Sequence, residues 1–299
     1  MNKSVFIFPA FVLKYLGSEV EMLSAHNIDL KEKLKSLSSI TGIDITDFNI
    51  ENNDFINNEI KNQLLTYLIS CLVSDVLKEK KIKSDYASGL SMGIYAALYH
   101  VGSISFNSGA LMILKVYQHI RSLLKGGEFE MISIIGLSRK DLQILITKSK
   151  LNCEIVIKNG KYSFIISGNI KDISKIYNLA KNEGALHLNR LPVNTPYHSS
   201  YLKNNKESFD KIFSDIEITD SDISYISTID QREISESNII KEEIIRNIIY
   251  PLDWNNTINR LLKLNAKTLY ECGPGESLYK SSKFIKGDFK ILTLKQSLS

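Results

Sequence analysis

The chain has 299 residues, 43% hydrophobic and 23% charged, with a net charge of +4. These proportions suit one large globular domain or two linked ones and exclude wholesale disorder and collagen-like structure. Cys71, Cys153 and Cys272 form no CxxC pair, no apolar run approaches a membrane span of ~18 residues, and no aromatic-and-basic stripe is present, so a cytoplasmic protein with no disulfides, zinc cluster, membrane span or nucleic-acid partner is expected.

In chain order, Val5-Phe6-Ile7-Phe8 ends at Pro9 with no small-residue cleavage site behind it, which predicts a buried first strand rather than a signal peptide. Leu64, Leu65, Leu68, Leu72, Val76 and Leu77 then recur at helical spacing within 62–80. An extended segment over 85–87 leads through Gly89-Leu90-Ser91-Met92-Gly93 into a small-residue helix at 94–99, and a further helix over 107–124 stops at Gly126-Gly127. Beyond it the rhythm changes to a strand at 131–135, a helix at 139–150 and a strand at 154–157. A hairpin turn at Asn159-Gly160 leads to a strand at 162–167, a helix over 170–182 closed by Gly184, and a strand at 185–191. The order β-α-β-β-α-β is ferredoxin-like. It predicts a small ferredoxin-like subdomain at 129–192, inserted in a larger α/β-hydrolase-like body formed by 1–128 and 193–299. In that body a strand through 268–272 runs into the tight turn Gly273-Pro274-Gly275.

Gly89-Leu90-Ser91-Met92-Gly93 fits G-x-S-x-G, the strand-to-helix turn that lifts a serine hydroxyl to the top of a sheet. Glycines flank the serine because a β-carbon there would strike the neighbouring strand or helix. The amide after the serine stands at a helix N-terminus, where backbone donors are free to hold an oxyanion. The bland alternative is a glycine-rich turn whose serine only caps the helix. A serine nucleophile needs a base, and the chain offers five histidines. His100 and His119 fall on predicted helices beside apolar neighbours, and His26 and His187 lie away from any motif. His198 lies in the polar, turn-like segment Asn194-Thr195-Pro196-Tyr197-His198-Ser199 and is the candidate base.

Five segments in order resemble the malonyl-CoA:acyl-carrier-protein transacylase family, which includes the acyltransferases of polyketide synthases. They are Phe6-Ile7-Phe8-Pro9, Gly89 to Gly93 with Tyr95-Ala96-Ala97-Leu98, Pro196-Tyr197-His198-Ser199, Tyr250-Pro251-Leu252-Asp253-Trp254, and Tyr270-Glu271-Cys272-Gly273-Pro274-Gly275. The resemblance covers nearly the whole chain. It implies that Ser91 carries an acyl group as an oxyester and that His198 serves as general base and then acid. It further implies that the backbone amides of Met92 and Phe11 hold the oxyanion, and that His198 is oriented from the position of Asp253, whose carboxylate would add to or replace a backbone carbonyl. The substrates implied are acyl-CoA and an acyl carrier protein, with no metal or other cofactor.

The chain also departs from the family pattern. The family's glycine-rich loop after the first strand is replaced by Ala10-Phe11-Val12-Leu13-Lys14, Leu90 stands where the family has histidine, and Ile94 where it has glutamate. The arginine that grips a malonyl carboxylate falls at Val116, followed by Tyr117. A buried carboxylate without a guanidinium partner costs several kcal/mol. Leu90, Val116 and Tyr117 are therefore expected to border a site for a non-carboxylated acyl group. Three alternatives stand beside this reading: a hydrolase of the same fold that clears carrier proteins, a true malonyl transferase with another cation, and a non-catalytic scaffold.

Overall fold

A computed structural model describes residues 2–51 and 54–298. The labels below are given to strands and to helices of two turns or more. The first strand, β1 (Lys3–Phe8), is followed by α1 (Leu30–Thr41) and α2 (Glu59–Glu79), then by β2 (Tyr86–Gly89), α3 (Gly93–His100) and α4 (Phe106–Leu124). Next come β3 (Phe129–Ile135), α5 (Arg139–Lys148), β4 (Cys153–Gly160), β5 (Ser163–Asn169), α6 (Ile170–Asn182) and β6 (His187–Arg190). The chain closes with β7 (Ser224–Ile226), β8 (Glu233–Ile234), α7 (Ser237–Ile249), β9 (Leu252–Asp253), α8 (Trp254–Lys263), β10 (Ala266–Glu271) and β11 (Lys290–Leu292), joined by shorter helical turns.

Two sheets result. The larger runs β11-β10-β1-β2-β7-β8 and is parallel except for β8. β1 lies at its centre, which is why Val5 to Phe8 are apolar without alternation. Successive side chains of a strand point to opposite faces, so Phe6 and Phe8 enter one core with α2, α3 and α4. Val5 and Ile7 enter another, with Trp254, Ile258 and Leu261 of α8. The smaller sheet runs β6-β3-β5-β4-β9. Its first four strands have the ferredoxin-like order, with α5 and α6 packed over Ile132, Ile134, Phe164 and Ile166. The fold is thus a large α/β body carrying a small inserted subdomain.

Two details differ from the sequence reading. The turn between β4 and β5 is Lys161-Tyr162, since Gly160 pairs with Ser163. Register shifts along β4 carry Asn159 and Gly160 into the strand in place of the turn. The smaller sheet also gains β9 from far along the chain, paired in parallel with β4 through Ile157–Leu252 and Lys158–Asp253.

Candidate active site

β1 and β2 run side by side, and their carboxyl ends bring two loops together, at Phe11 and at Ser91. A crevice at the carboxyl ends of parallel strands is the usual ligand site of an open α/β sheet. Ser91 has a φ of 53°, the left-handed conformation of a strained elbow. The flanking glycines permit this. A β-carbon on Gly89 would sit 2.2 Å from the Gly93 carbonyl carbon, and one on Gly93 would sit 2.2 Å from the Phe8 oxygen. The amides of Leu90 and Gly93 are taken by Phe8 and Leu90 carbonyls. Those of Met92 and Phe11 donate to no protein group among the described residues. The Phe11 loop lacks glycine at its start, yet it is held on both sides by polar side chains. Buried Asn62 accepts from the Val12 amide at 3.2 Å and donates to the Val12 carbonyl at 2.9 Å. Buried Glu19 accepts from the amides of Leu16 and Gly17.

His198 meets this elbow from the segment after the small subdomain. Its Nε2 lies 2.7 Å from Ser91 Oγ, and its Nδ1 lies 2.5 Å from the backbone carbonyl of Asn247. A carbonyl only accepts, so Nδ1 carries the proton and Nε2 is left to accept from the serine. The His198 amide donates to the Ile248 carbonyl at 2.9 Å, so the end of α7 holds the histidine by backbone and by ring. Burial pulls the imidazole down to about 4, against the opposing pull of the Asn247 carbonyl. His198 is therefore neutral at neutral pH, the form in which an imidazole can accept a proton.

Around the pair lies a small cavity of about 40 Å³. The body supplies Phe11, Met92, Ile113 and Val116, and the small sheet supplies Met131, Ile157 and Ile165 from the facing side. Polar groups enter through Gln63, Tyr95, Tyr197 and Asn247, and no Lys, Arg, Asp or Glu lines it among the described residues. Arg121, one turn past Tyr117 on α4, is exposed and reaches Asn194 Oδ1 at 3.5 Å instead.

No family model matches the chain. Among curated proteins, the malonyl CoA-acyl carrier protein transacylase of Bacillus subtilis is 29% identical over 218 residues, covering 72% of this chain and 68% of that protein. The transacylase of the same description from Synechocystis is 25% identical over 278 residues, covering 92% and 91%. The fold agrees with a solved malonyl-transacylase in complex with its type II polyketide synthase acyl-carrier protein, at a TM-score of 0.87 and 19% identity, covering 99% of this chain and 97% of that one. The chain is similar in sequence, over most of its length, to malonyl CoA-acyl carrier protein transacylases.

Ser91, His198, Phe11, Met92 and Val116 come together around the cavity, whereas three expected site residues do not. Asp253 is not the partner of His198. Its side chain accepts from the Asn256 amide at 2.9 Å, capping α8, and pairs with Lys158 at 3.0 Å across the β4–β9 ladder. The orienting carbonyl comes from Asn247, six residues earlier, at the end of α7. Leu90 is buried with Val5, Ile7 and Trp254 behind the elbow, because residues adjacent on an extended chain point to opposite sides. Tyr117 packs against the body core next to Val116, turned off the cavity by its helical position. The sequence reading missed Asn62, Gln63, Glu59 and Asn247. Each is a polar residue on the buried face of a helix, and that break in an apolar pattern was the available signal.

Proposed function

We propose that this protein is a serine acyltransferase that moves a non-carboxylated acyl group between thioesters of coenzyme A and an acyl carrier protein, in fatty-acid or polyketide biosynthesis. The observation that carries the reading is the continuous line Ser91 Oγ–His198 Nε2, His198 Nδ1–Asn247 carbonyl, opening onto a cavity whose lining holds no charged side chain. Ser91 Oγ gives its proton to His198 Nε2 and attacks the thioester carbonyl, and the oxyanion is held by the Met92 and Phe11 amides. On collapse the C–S bond breaks, His198 returns its proton to the departing thiolate, and the acyl group rests on Ser91. A second thiol gives its proton to His198 and attacks the ester, the Ser91 Oγ–acyl bond breaks, His198 returns the proton to Ser91 Oγ, and the new thioester departs.

The acyl carrier protein as partner is supported by the names of the sequence relatives and by the solved complex. A cytoplasmic setting is consistent with three free, buried cysteines. No helix of the described residues is long and apolar enough to cross a membrane. The reading needs no group beyond the thioester itself. Neutral acyl selection follows from Val116, since a malonyl carboxylate in this cavity would meet no cation.

Intact-mass measurement after exposure to acetyl-CoA, butyryl-CoA and malonyl-CoA tests these points separately. The expected result is mass addition from the neutral thioesters, absent in Ser91→Ala and slowed about 10²–10⁴-fold in His198→Ala. Stable malonylation would sink the neutral-acyl selection, and label retained by Ser91→Ala would sink the nucleophile. Rapid release of free acid without an acceptor thiol would make the protein a hydrolase of this fold.

A further inference from the structure

Besides Ser91, His198 and Asn247, the cavity lining is polar at three side chains among the described residues. Gln63 of α2, Tyr95 of α3 and Tyr197 beside His198 all reach its surface. Behind them lies Glu59, a buried carboxyl anchored by the Asn194 amide at 2.9 Å and the Thr195 hydroxyl at 3.2 Å. Gln63 Nε2 donates to Glu59 Oε1 at 3.3 Å and lies 3.5 Å from the Tyr197 hydroxyl. Gln63 and Tyr197 are therefore tethered from behind. Tyr95 differs from both. It is 4% exposed, lines the cavity near the Tyr197 phenol, and its hydroxyl makes no hydrogen bond to protein among the described residues.

We propose that the acyl group carried by this protein bears a neutral hydrogen-bonding oxygen, a hydroxyl or a carbonyl, a few bonds from the thioester carbon, and that Gln63, Tyr95 and Tyr197 receive it. The inference rests on the acyl-Ser91 reading and names the substrate class for that same site. The polar pole is close to the reacting atoms in sequence as well as in space, since Tyr95 is one helical turn beyond Ser91 and Tyr197 adjoins His198. A plain alkyl chain filling this small space would seal the Tyr95 hydroxyl from water with nothing to bond. A carboxylate would find donors and no cation. An ammonium group would be separated from Glu59 by Gln63 and Tyr197, and the Glu59 oxygens already accept from Asn194, Thr195 and Gln63. A hydroxyl or carbonyl oxygen can accept from the Tyr95 phenol, and a hydroxyl can in addition donate to the Gln63 carboxamide oxygen, while the rest of the acyl chain meets Ile113, Val116 and Met131.

Butyryl-CoA, 3-hydroxybutyryl-CoA and acetoacetyl-CoA differ only at the third carbon and make the test direct. The initial rate of Ser91 acylation is measured with each by intact mass, and the affinity of each for Ser91→Ala is measured by calorimetry. At least one oxygenated thioester is expected to exceed butyryl-CoA by about tenfold or more in both measurements, because a site built to bond an oxygen rejects the analogue that lacks it. Tyr95→Phe and Gln63→Met are each expected to shrink that ratio toward one, with circular dichroism confirming the fold. A ratio at or below one in the wild-type protein overturns the inference and leaves acyl transfer standing. A ratio preserved in both variants overturns the assignment to these residues. Discrimination in Ser91→Ala binding without any acylation of the wild type would overturn the acyl-enzyme reading and leave the polar pole standing.

Discussion

At the scale of single residues, the decisive contact is the one between His198 and the Asn247 carbonyl, because it fixes which ring nitrogen faces Ser91. With its imidazole held at about 4, His198 is deprotonated across the neutral range and titrates only in acid. The rate of Ser91 acylation is therefore expected to be level from about pH 8 down to about pH 5 and to fall as the pH passes through about 4. Stopped-time mass spectrometry across that range checks it, and a rate that declines already near pH 6.5 would mean that the histidine is not held neutral. Asp253 makes the opposite prediction. As a helix cap and half of a pair with Lys158, its replacement by Ala should cost about 1 kcal/mol of stability. The same change should leave acylation within about twofold of wild type. A drop comparable to that of His198→Ala would return the carboxylate to the chemistry.

At the scale of elements, the elbow depends on how tightly β1, β2 and α3 approach one another. The β-carbon missing from Gly93 would fall 2.2 Å from the Phe8 oxygen and 2.9 Å from the Pro9 oxygen, both backbone atoms that cannot rotate away. Gly93→Ala is therefore expected to destabilise the fold by about 3 kcal/mol or more, read as a lowered urea midpoint. Acyl labelling should be lost from the fraction that still folds. Much of this was legible beforehand, since the spacing of Gly89, Ser91 and Gly93 between an extended run and a helix-forming run already demanded a tight turn. The helix over 170–182 was legible too, with its apolar face and terminal Gly184, and the structure gives Ile170–Asn182. The join between β4 and β9 was not. Two residues are too few to show a period, and their pairing depends on a strand nearly a hundred positions away.

At the scale of the whole molecule, the buried titratable groups set the pH range of stability. His198 and His100, near 4 and 3 in the folded protein against 6.5 when free, bind protons in the unfolded chain first. Their contribution is fully present above pH 6.5 and is lost as the pH falls through the folded values. Glu243 and Glu271 are pushed the other way by burial, to about 7 from 4.5. Their contribution is present in acid and is lost as the pH rises from 4.5 to about 7. Between about pH 4.5 and 6.5 the two slopes oppose each other, so the thermal midpoint is expected to be broad there and to drop below it and toward pH 7. A midpoint that climbs steadily from pH 4 to pH 8 in calorimetry would contradict this.

The sequence alone determined the α/β class and the ferredoxin-like unit, and it singled out the tight turn around Ser91 and the histidine that meets it, His198, because each rests on local spacing or on ordered motifs. Only the tertiary structure decided which carbonyl orients the histidine, that Leu90, Tyr117 and Asp253 stand outside the cavity, and that Gln63, Tyr95 and Tyr197 form its polar pole. The physical reason is the same in each case. The contacts of the site join groups far apart along the chain, and whether a side chain faces a cavity or the core behind it is set by the packing of two sheets against each other.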